Sequence, residues 1–368
     1  MIPISKPWLG QEEKDAVMKV LDSGIIASGP KVKEFEKNFA TYIGTTHALM
    51  TSSGTTSLHA ALFAFGIGKG DQVITTAFTF IATANSILYA GAEPIFADID
   101  ADTFNISPVA VEKLLKKDIF HRIKAIMVVH LYGQTCDMDT INALAKKYKL
   151  VVIEDAAQAH GAKYKGKKAG GLSDAGSFSF YATKNMATGE GGGVTTDDSK
   201  ADAKMRVFIN HGMEQQYFHT MLGYNYRMTD IEAAIGLEQL KKIDNFNEIR
   251  RANADKLKRI LGGYNWLVMP AEREGNYHIY HQFALRVKNG LRDNLLKYLT
   301  DKGIGCKIFY PIAVHEQPLY KKLLKRKVIV PEVDIAVKEV LNVPIHPQLD
   351  EAYFKLMEDA CKDFSKTI

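Results

Sequence analysis

Cysteine is scarce in this chain: three occur in 368 residues, at 136, 306 and 361. Their odd number and wide spacing rule out a disulfide framework and any zinc-finger spacing, and they suit a reducing compartment. Long hydrophobic runs are also missing, because no stretch reaches 18 uninterrupted apolar residues, so a membrane span is not expected. The start, Met1-Ile2-Pro3-Ile4-Ser5-Lys6-Pro7, lacks the apolar core of a secretion signal, and a cytoplasmic protein is expected. Neither sign of charge dominates: 47 Lys and Arg against 42 Asp and Glu leave +5. The basic clusters, Lys321-Lys322 and Lys325-Arg326-Lys327, are short and local, so nucleic acid is not an expected partner, whereas a small anionic substrate fits the balance. No internal repeat or low-complexity tract is present. A Gly-x-Gly-x-x-Gly turn from strand to helix, which a nicotinamide dehydrogenase needs, is absent too: the glycines at 189 to 193 precede the strand-like Val194-Thr195-Thr196.

What the chain does have is an alternation of buried strands and amphipathic helices. Asp71–Thr75 and Glu93–Asp98 read as strands, Ala125–His130 as a near-continuous apolar strand and Leu150–Glu154 as another buried strand. Helical patterns stand between them at Phe80–Tyr89, Val111–Lys117 and Thr140–Tyr148. Strands apolar on both faces and separated by helices predict an α/β fold with a mostly parallel sheet, whose ligands gather at the strands' carboxyl ends. Two helices precede it, Gln11–Leu21 and one after Gly29-Pro30, and the apolar loop Ile25–Pro30 between them is either a core tether or a contact with a partner subunit. A helix from Lys200 to Ile209, a polar and aromatic loop from His211 to Arg227, and a long helix opened by Thr229-Asp230-Ile231-Glu232 follow. Beyond it, His278–Val287 and Gly305–Tyr310 read as strands and Leu291–Thr300 and Glu351–Phe364 as helices. This predicts a large domain over 1–240 and a smaller α+β domain over 241–368.

Three segments carry chemistry. In Met50-Thr51-Ser52-Ser53-Gly54-Thr55-Thr56, a glycine and hydroxyl residues open a helix. That is common N-cap chemistry, or else a phosphate site, since the helix terminus offers free amides and a positive dipole end. Asp155 follows a buried strand in Glu154-Asp155-Ala156-Ala157-Gln158-Ala159-His160; it is either a cap or the anion that keeps a ring nitrogen protonated. Lys184 follows the aromatic alternation Phe178-Ser179-Phe180-Tyr181. It is either a snorkelling side chain or an amine whose pKa is lowered by partial burial, and so a nucleophile toward a carbonyl.

A reactive lysine, a carboxylate at a strand end and a phosphate cradle together fit pyridoxal phosphate. Lys184 would form the Schiff base, Asp155 would hold the ring nitrogen, and Gly54, Thr55, Thr56 and Ser179 would take the phosphate. Phe78 would stack on one ring face and Gln158 cover the other. His160 is a further candidate to lie over a ligand ring.

These segments, with Gly189-Glu190-Gly191-Gly192 and Gly223-Tyr224-Asn225-Tyr226-Arg227-Met228, resemble the DegT/DnrJ type of nucleotide-sugar aminotransferase along nearly the whole chain. The resemblance implies the type I aminotransferase fold and a homodimer with shared active sites, in which Asn225 reaches the partner's cofactor phosphate. It also implies transfer of an amino group from L-glutamate to a nucleotide-linked keto sugar; Lys184 separates the chain from a dehydratase branch that has histidine there. Phe309-Tyr310-Pro311 and His315-Glu316-Gln317 resemble the family's sugar-contacting stretch, although Ala313-Val314 replaces the usual proline-leucine. Gln158 with His160 resembles members that aminate C3 of the sugar. The segments Val129–Gln134 and Tyr224–Met228 resemble the perosamine-forming C4 branch, and the reading leans to C3. A regulatory protein that keeps the cofactor without turnover remains a rival.

Overall fold

Alternation within single strands decides which layer each side chain joins. In the computed structural model, which describes residues 1–324 and 327–368, seven strands form the main sheet: β1 (His47–Thr51), β2 (Gln72–Thr76), β3 (Glu93–Ala97), β4 (Ile123–Val129), β5 (Val151–Asp155), β6 (Ala175–Ser179) and β7 (Gly192–Thr196). Lys325 and Arg326 of the basic cluster lie outside the described residues. The spatial order is β1-β7-β6-β5-β4-β2-β3, and β7 alone runs against its neighbours. Val73, Ala125, Met127 and Ile153 pack toward one helical layer, while their chain neighbours Ile74, Ile126, Val128 and Val152 pack toward the other. The first layer holds α3 (Gly54–Ala64) and α7 (Ser199–Phe208), and the second α5 (Pro108–Leu115) and α6 (Met138–Tyr148). The mostly parallel sheet covered on both faces is the expected fold class.

The same period of two organises the aromatic stretch before Lys184. Phe178 and Phe180 both turn toward α2 (Pro30–Ile43), their rings 5.0 and 5.4 Å from Phe39. Ser177 and Ser179 therefore face the opposite side, where Ser177 shares a 2.5 Å hydrogen bond with Ser57 of α3. The aromatic residues anchor the strand, and the serines are left for the helix terminus.

Thr229 caps α8 (Asp230–Leu261), with Glu232 closing the capping box. This helix puts Ala233, Leu237 and Ile243 into the core of the main sheet, and Ala254, Leu257 and Leu261 into a second core. The second core surrounds a three-stranded antiparallel sheet of Leu267–Val268, Phe283–Val287 and Val340–Val343. The 240/241 division expected from the sequence falls inside the helix.

Two strand expectations change here. Gly305–Tyr310 forms a single bridge, Lys307 to Asn342, and no strand; Val340–Val343 is the strand that pairs with Phe283–Val287. The strand expected from His278 begins only at Phe283, because the chain turns at Tyr280, whose φ is +46°. Strand β1 was not foreseen: it is edge-paired with a segment about 145 residues away, which no local pattern reveals. Among the described residues no helix is long and apolar enough to cross a membrane.

Candidate active site

The last residues of β4, β5 and β6, namely Val129, Asp155 and Ser179, open into one cavity of about 560 Å³. Such crevices at strand carboxyl ends are where open α/β sheets bind ligands. Its walls include Gly54, Thr55, Thr83, Gln158, Lys184, His281 and Tyr310. Seven of the residues singled out from the sequence therefore meet in it: Gly54, Thr55, Asp155, Gln158, Ser179, Lys184 and Tyr310.

The α3 terminus is built for close approach. A Cβ on Gly54 would lie 2.7 Å from the Ser179 Cβ and 3.3 Å from the Phe178 carbonyl, so only glycine lets the helix start touch the end of β6. The Ser53 side chain accepts from the Thr56 amide at 3.2 Å. That leaves the Gly54 and Thr55 amides without intrahelical acceptors beside the Ser179 hydroxyl, an anion cradle in geometry and charge. Thr56 departs from expectation: its hydroxyl binds the Ser53 amide and carbonyl at 3.0 and 2.8 Å, so it serves the cap and does not line the cavity. Behind the cradle runs Gly192, where a Cβ would lie 2.3 Å from the Ser53 carbonyl group. The glycine cluster is thus a packing surface for the cap.

Asp155 is buried, and its carboxylate accepts from the Thr83 hydroxyl at 2.7 Å and the Ala157 amide at 3.2 Å. Burial raises its pKa, while Thr83, the Ala157 amide and the Lys184 charge oppose the rise. Lys184 sits on a loop closed by hydrogen bonds from the Ala182 amide to the Gly189 carbonyl and from the Thr188 amide to the Phe180 carbonyl. Desolvation pushes its amine down to about 8 against the pull of Asp155. An amine in that range has a neutral, nucleophilic fraction of roughly a fifth near physiological pH, against about a thousandth for an ordinary lysine. Gln158 is fixed at both ends: its Oε1 accepts from the Tyr132 amide at 2.8 Å and its Nε2 donates to the Tyr310 hydroxyl at 3.1 Å.

The structure does not bring the other expected residues into the cavity. Phe78 is fully buried, its ring 5.7 Å from Phe104 and 6.5 Å from Tyr132, whereas Phe80 faces the cavity with 57% of its surface exposed. The chain turns after β2, where the Phe78 amide bonds the Thr76 hydroxyl, so strand alternation no longer tells which aromatic points outward. His160 is sealed between Phe178 and Phe180, 5.4 and 5.6 Å away, and neither ring nitrogen has a partner. Burial and the Lys184 charge push it down to about 3. His315 lies beside Phe96, with Nε2 3.5 Å from the Glu316 carboxylate, and does not line the cavity. Asn225 is exposed on its loop, away from this chain's own cavity. The sequence reading missed Phe80, Thr83, Glu190 and His281; of these only Phe80 had a local signal, as the second aromatic of Phe78-Thr79-Phe80.

With this geometry the chain is similar to several known proteins. A pleiotropic regulatory protein of Geobacillus stearothermophilus is 41% identical over 99% of this chain and 98% of its own. A GDP-perosamine synthase of Caulobacter vibrioides is 41% identical over 95% of each. A dTDP-3-amino-3,4,6-trideoxy-alpha-D-glucose transaminase of Streptomyces venezuelae is 34% identical over 98% of this chain and 94% of its own. Among solved structures, S. venezuelae DesV in complex with a ketimine intermediate superposes with a TM-score of 0.92, at 34% identity over 97% of this chain and 95% of that one. A putative sugar aminotransferase of Streptococcus pneumoniae in its PLP form gives 0.92 at 28% identity over 100% and 99%. The family pattern itself matches residues 7–359, and the chain belongs to the DegT/DnrJ/EryC1/StrS aminotransferase family.

Proposed function

We propose that the protein transfers an amino group from L-glutamate to the keto group of a nucleotide-linked sugar, with pyridoxal phosphate held on Lys184. One observation carries this reading: a lysine depressed to about 8 shares a single cavity with a buried strand-end carboxylate and a helix-terminal anion cradle. Bound there, pyridoxal phosphate supplies an aldehyde for the amine and a ring that takes up electrons from a carbanion. Gly54, Thr55 and Ser179 bind the phosphate. Asp155 keeps the ring nitrogen protonated, and Thr83 and the Ala157 amide keep Asp155 in place. Phe80 and Gln158, which both line the cavity, would cover the ring. With the cofactor bound, Lys184 Nζ would be the base that takes the α-proton of glutamate and the acid that delivers it on the cofactor side; one water would be consumed in releasing 2-oxoglutarate and one returned when the sugar ketone takes the amino group by the reverse path.

For the sugar position, C4 is the better supported reading. Relatives called GDP-perosamine synthase, from Caulobacter vibrioides and Escherichia coli O157:H7, are 41% and 40% identical, above the 34% of the 3-amino-sugar transaminase. The lean to C3 rested on Gln158 with His160, and a sealed His160 makes no contact with a sugar in the cavity. C3 amination stays as the second reading, favoured by Gln158 itself. The regulatory rival is favoured by the Geobacillus relative's name.

A homodimer completes the site in this reading. Asn225 is exposed, and Ile25, Ile26, Tyr217, Phe218 and Leu222 leave apolar surface uncovered, which a second copy would bury. Incubating the holoprotein with L-glutamate and UDP-, GDP- and dTDP-linked 4-keto and 3-keto sugars, with product NMR, tests the substrate reading. A 4-amino product supports C4, a 3-amino product supports C3, and no amino sugar from any of them contradicts both.

A further inference from the structure

His281 lines the cavity with Lys184, is 5% exposed, and belongs to no motif that marks the cofactor site. Its surroundings fix its protonation from the outside in. Asn247, on α8, donates through Nδ2 to the His160 backbone carbonyl at 2.8 Å. A carbonyl only accepts, so Asn247 presents its Oδ1 to Asn185, whose Nδ2 donates to it at 2.9 Å. Asn185 then has only Oδ1 to offer His281, 3.0 Å from the ring Nδ1. The ring must donate from Nδ1, and Nε2 is left as a bare acceptor. Arg250 holds the same turn by reaching the Tyr280 and His281 carbonyls at 3.3 and 3.4 Å.

Every charged or titratable group bearing on the ring, Lys184 from its loop, Arg250 from α8 and His160 from behind the sheet, opposes a proton on it, as does burial. The ring is a neutral acceptor in the wall of the cavity that holds the reactive amine. We propose that His281 is a positioning residue for Lys184: its bare Nε2, on the wall of the same cavity, is the acceptor toward which Nζ is drawn, with the acceptor state imposed by the relay through Asn185 and Asn247 to the His160 carbonyl. Asn185 follows Lys184 directly in the chain, so the relay also ties the lysine's own backbone to the ring that orients its tip. The inference deepens the proposed function, on which it rests for the role of Lys184.

The test uses the full chain without cofactor, so its outcome is separate from turnover. Nitrogen NMR of histidine-labelled protein should show His281 protonated at Nδ1 and bare at Nε2, and Asn247→Leu, which does not touch the cavity, should mix the two tautomers. The pH dependence of Lys184 acylation, read by peptide mass spectrometry, should move down by about one pH unit in His281→Phe, because an acceptor lost from an ammonium favours its neutral form. The wild-type spectrum needs no variant and stands even where His281→Phe fails to fold. A wild-type ring protonated at Nε2 overturns the proposal, and so does a Lys184 midpoint that stays fixed or rises in the variant. Failure of the protein to aminate any sugar, with these results obtained, would contradict the proposed function and leave the relay standing.

Discussion

The two walls of the cavity are made differently. The sheet-side wall consists of strand ends and a helix start, Val129, Asp155, Ser179 and Gly54-Thr55, each held by ladder hydrogen bonds or a cap. The facing wall consists of segments outside regular elements: Ile4-Ser5, Glu190, His281-Gln282 and Ile308–Pro311. In the proposed function the first wall would fix what must be invariant in any aminotransferase reaction, the placement of the cofactor. The second would be where a sugar and its nucleotide are distinguished, since loops can vary there without disturbing the sheet.

The contrast can be broken most sharply at Lys184. Lys184→Ala should lower transamination by at least about 10⁴-fold with the fold intact, since nothing else in the cavity replaces the nucleophile; steady-state kinetics with circular dichroism checks this. Next comes Asp155→Asn, which removes the anion under the ring nitrogen and should cost about 10²–10³-fold in kcat. Thr83→Val, which strips one hydrogen bond from that carboxylate, should cost about tenfold. If these two effects were equal, Asp155 would not be the group acting on the ring.

A pair of aromatic variants separates the cavity wall from the core behind it. Phe80→Ala should weaken cofactor binding by about 0.5–1.5 kcal/mol, the worth of a stacked aromatic contact, with little change in stability. Phe78→Ala should instead cost about 3–5 kcal/mol of stability, because it empties a packed site. Fluorescence titration of the cofactor and denaturant unfolding read the two, and exchanged results would restore Phe78 to the cavity.

The amine also sets a pH dependence of stability. In the protein without cofactor, Lys184 titrates near 8 against an ordinary 10.5. Between those values the unfolded chain binds the extra proton, so the stability penalty of burying the amine is full below about 8 and disappears as the pH rises through the unfolded value. Stability should thus climb from pH 8 toward 10.5 more steeply in the wild type than in Lys184→Ala, measured by chemical unfolding across that range.

How much of this was legible in the sequence follows the same division. Asp155 and Ser179 were found because each stands at the end of a strand legible in the sequence, and Gly54 because it opens a helix whose terminus can cradle an anion, although the same pattern is ordinary N-cap chemistry. Thr56 carried the same signal as Thr55, yet the capping geometry takes it away. Phe78 and His160 were misplaced where the chain leaves its strand and alternation stops telling sides apart. His281 and Glu190 had no local signature, since their roles depend on contacts across about 100 residues of chain or on a loop's return path. The Gly305–Tyr310 segment alternates like a strand but spends its length along the cavity.

The most direct measurement is the visible spectrum of the purified protein with pyridoxal phosphate. It should show a bound-cofactor band that bleaches on adding L-glutamate, returns on adding a nucleotide-linked keto sugar, and never forms through residue 184 in Lys184→Ala. A colourless protein indifferent to pyridoxal phosphate would contradict the account at its centre, and a band that forms but ignores glutamate would contradict the transaminase reading in favour of the regulatory one.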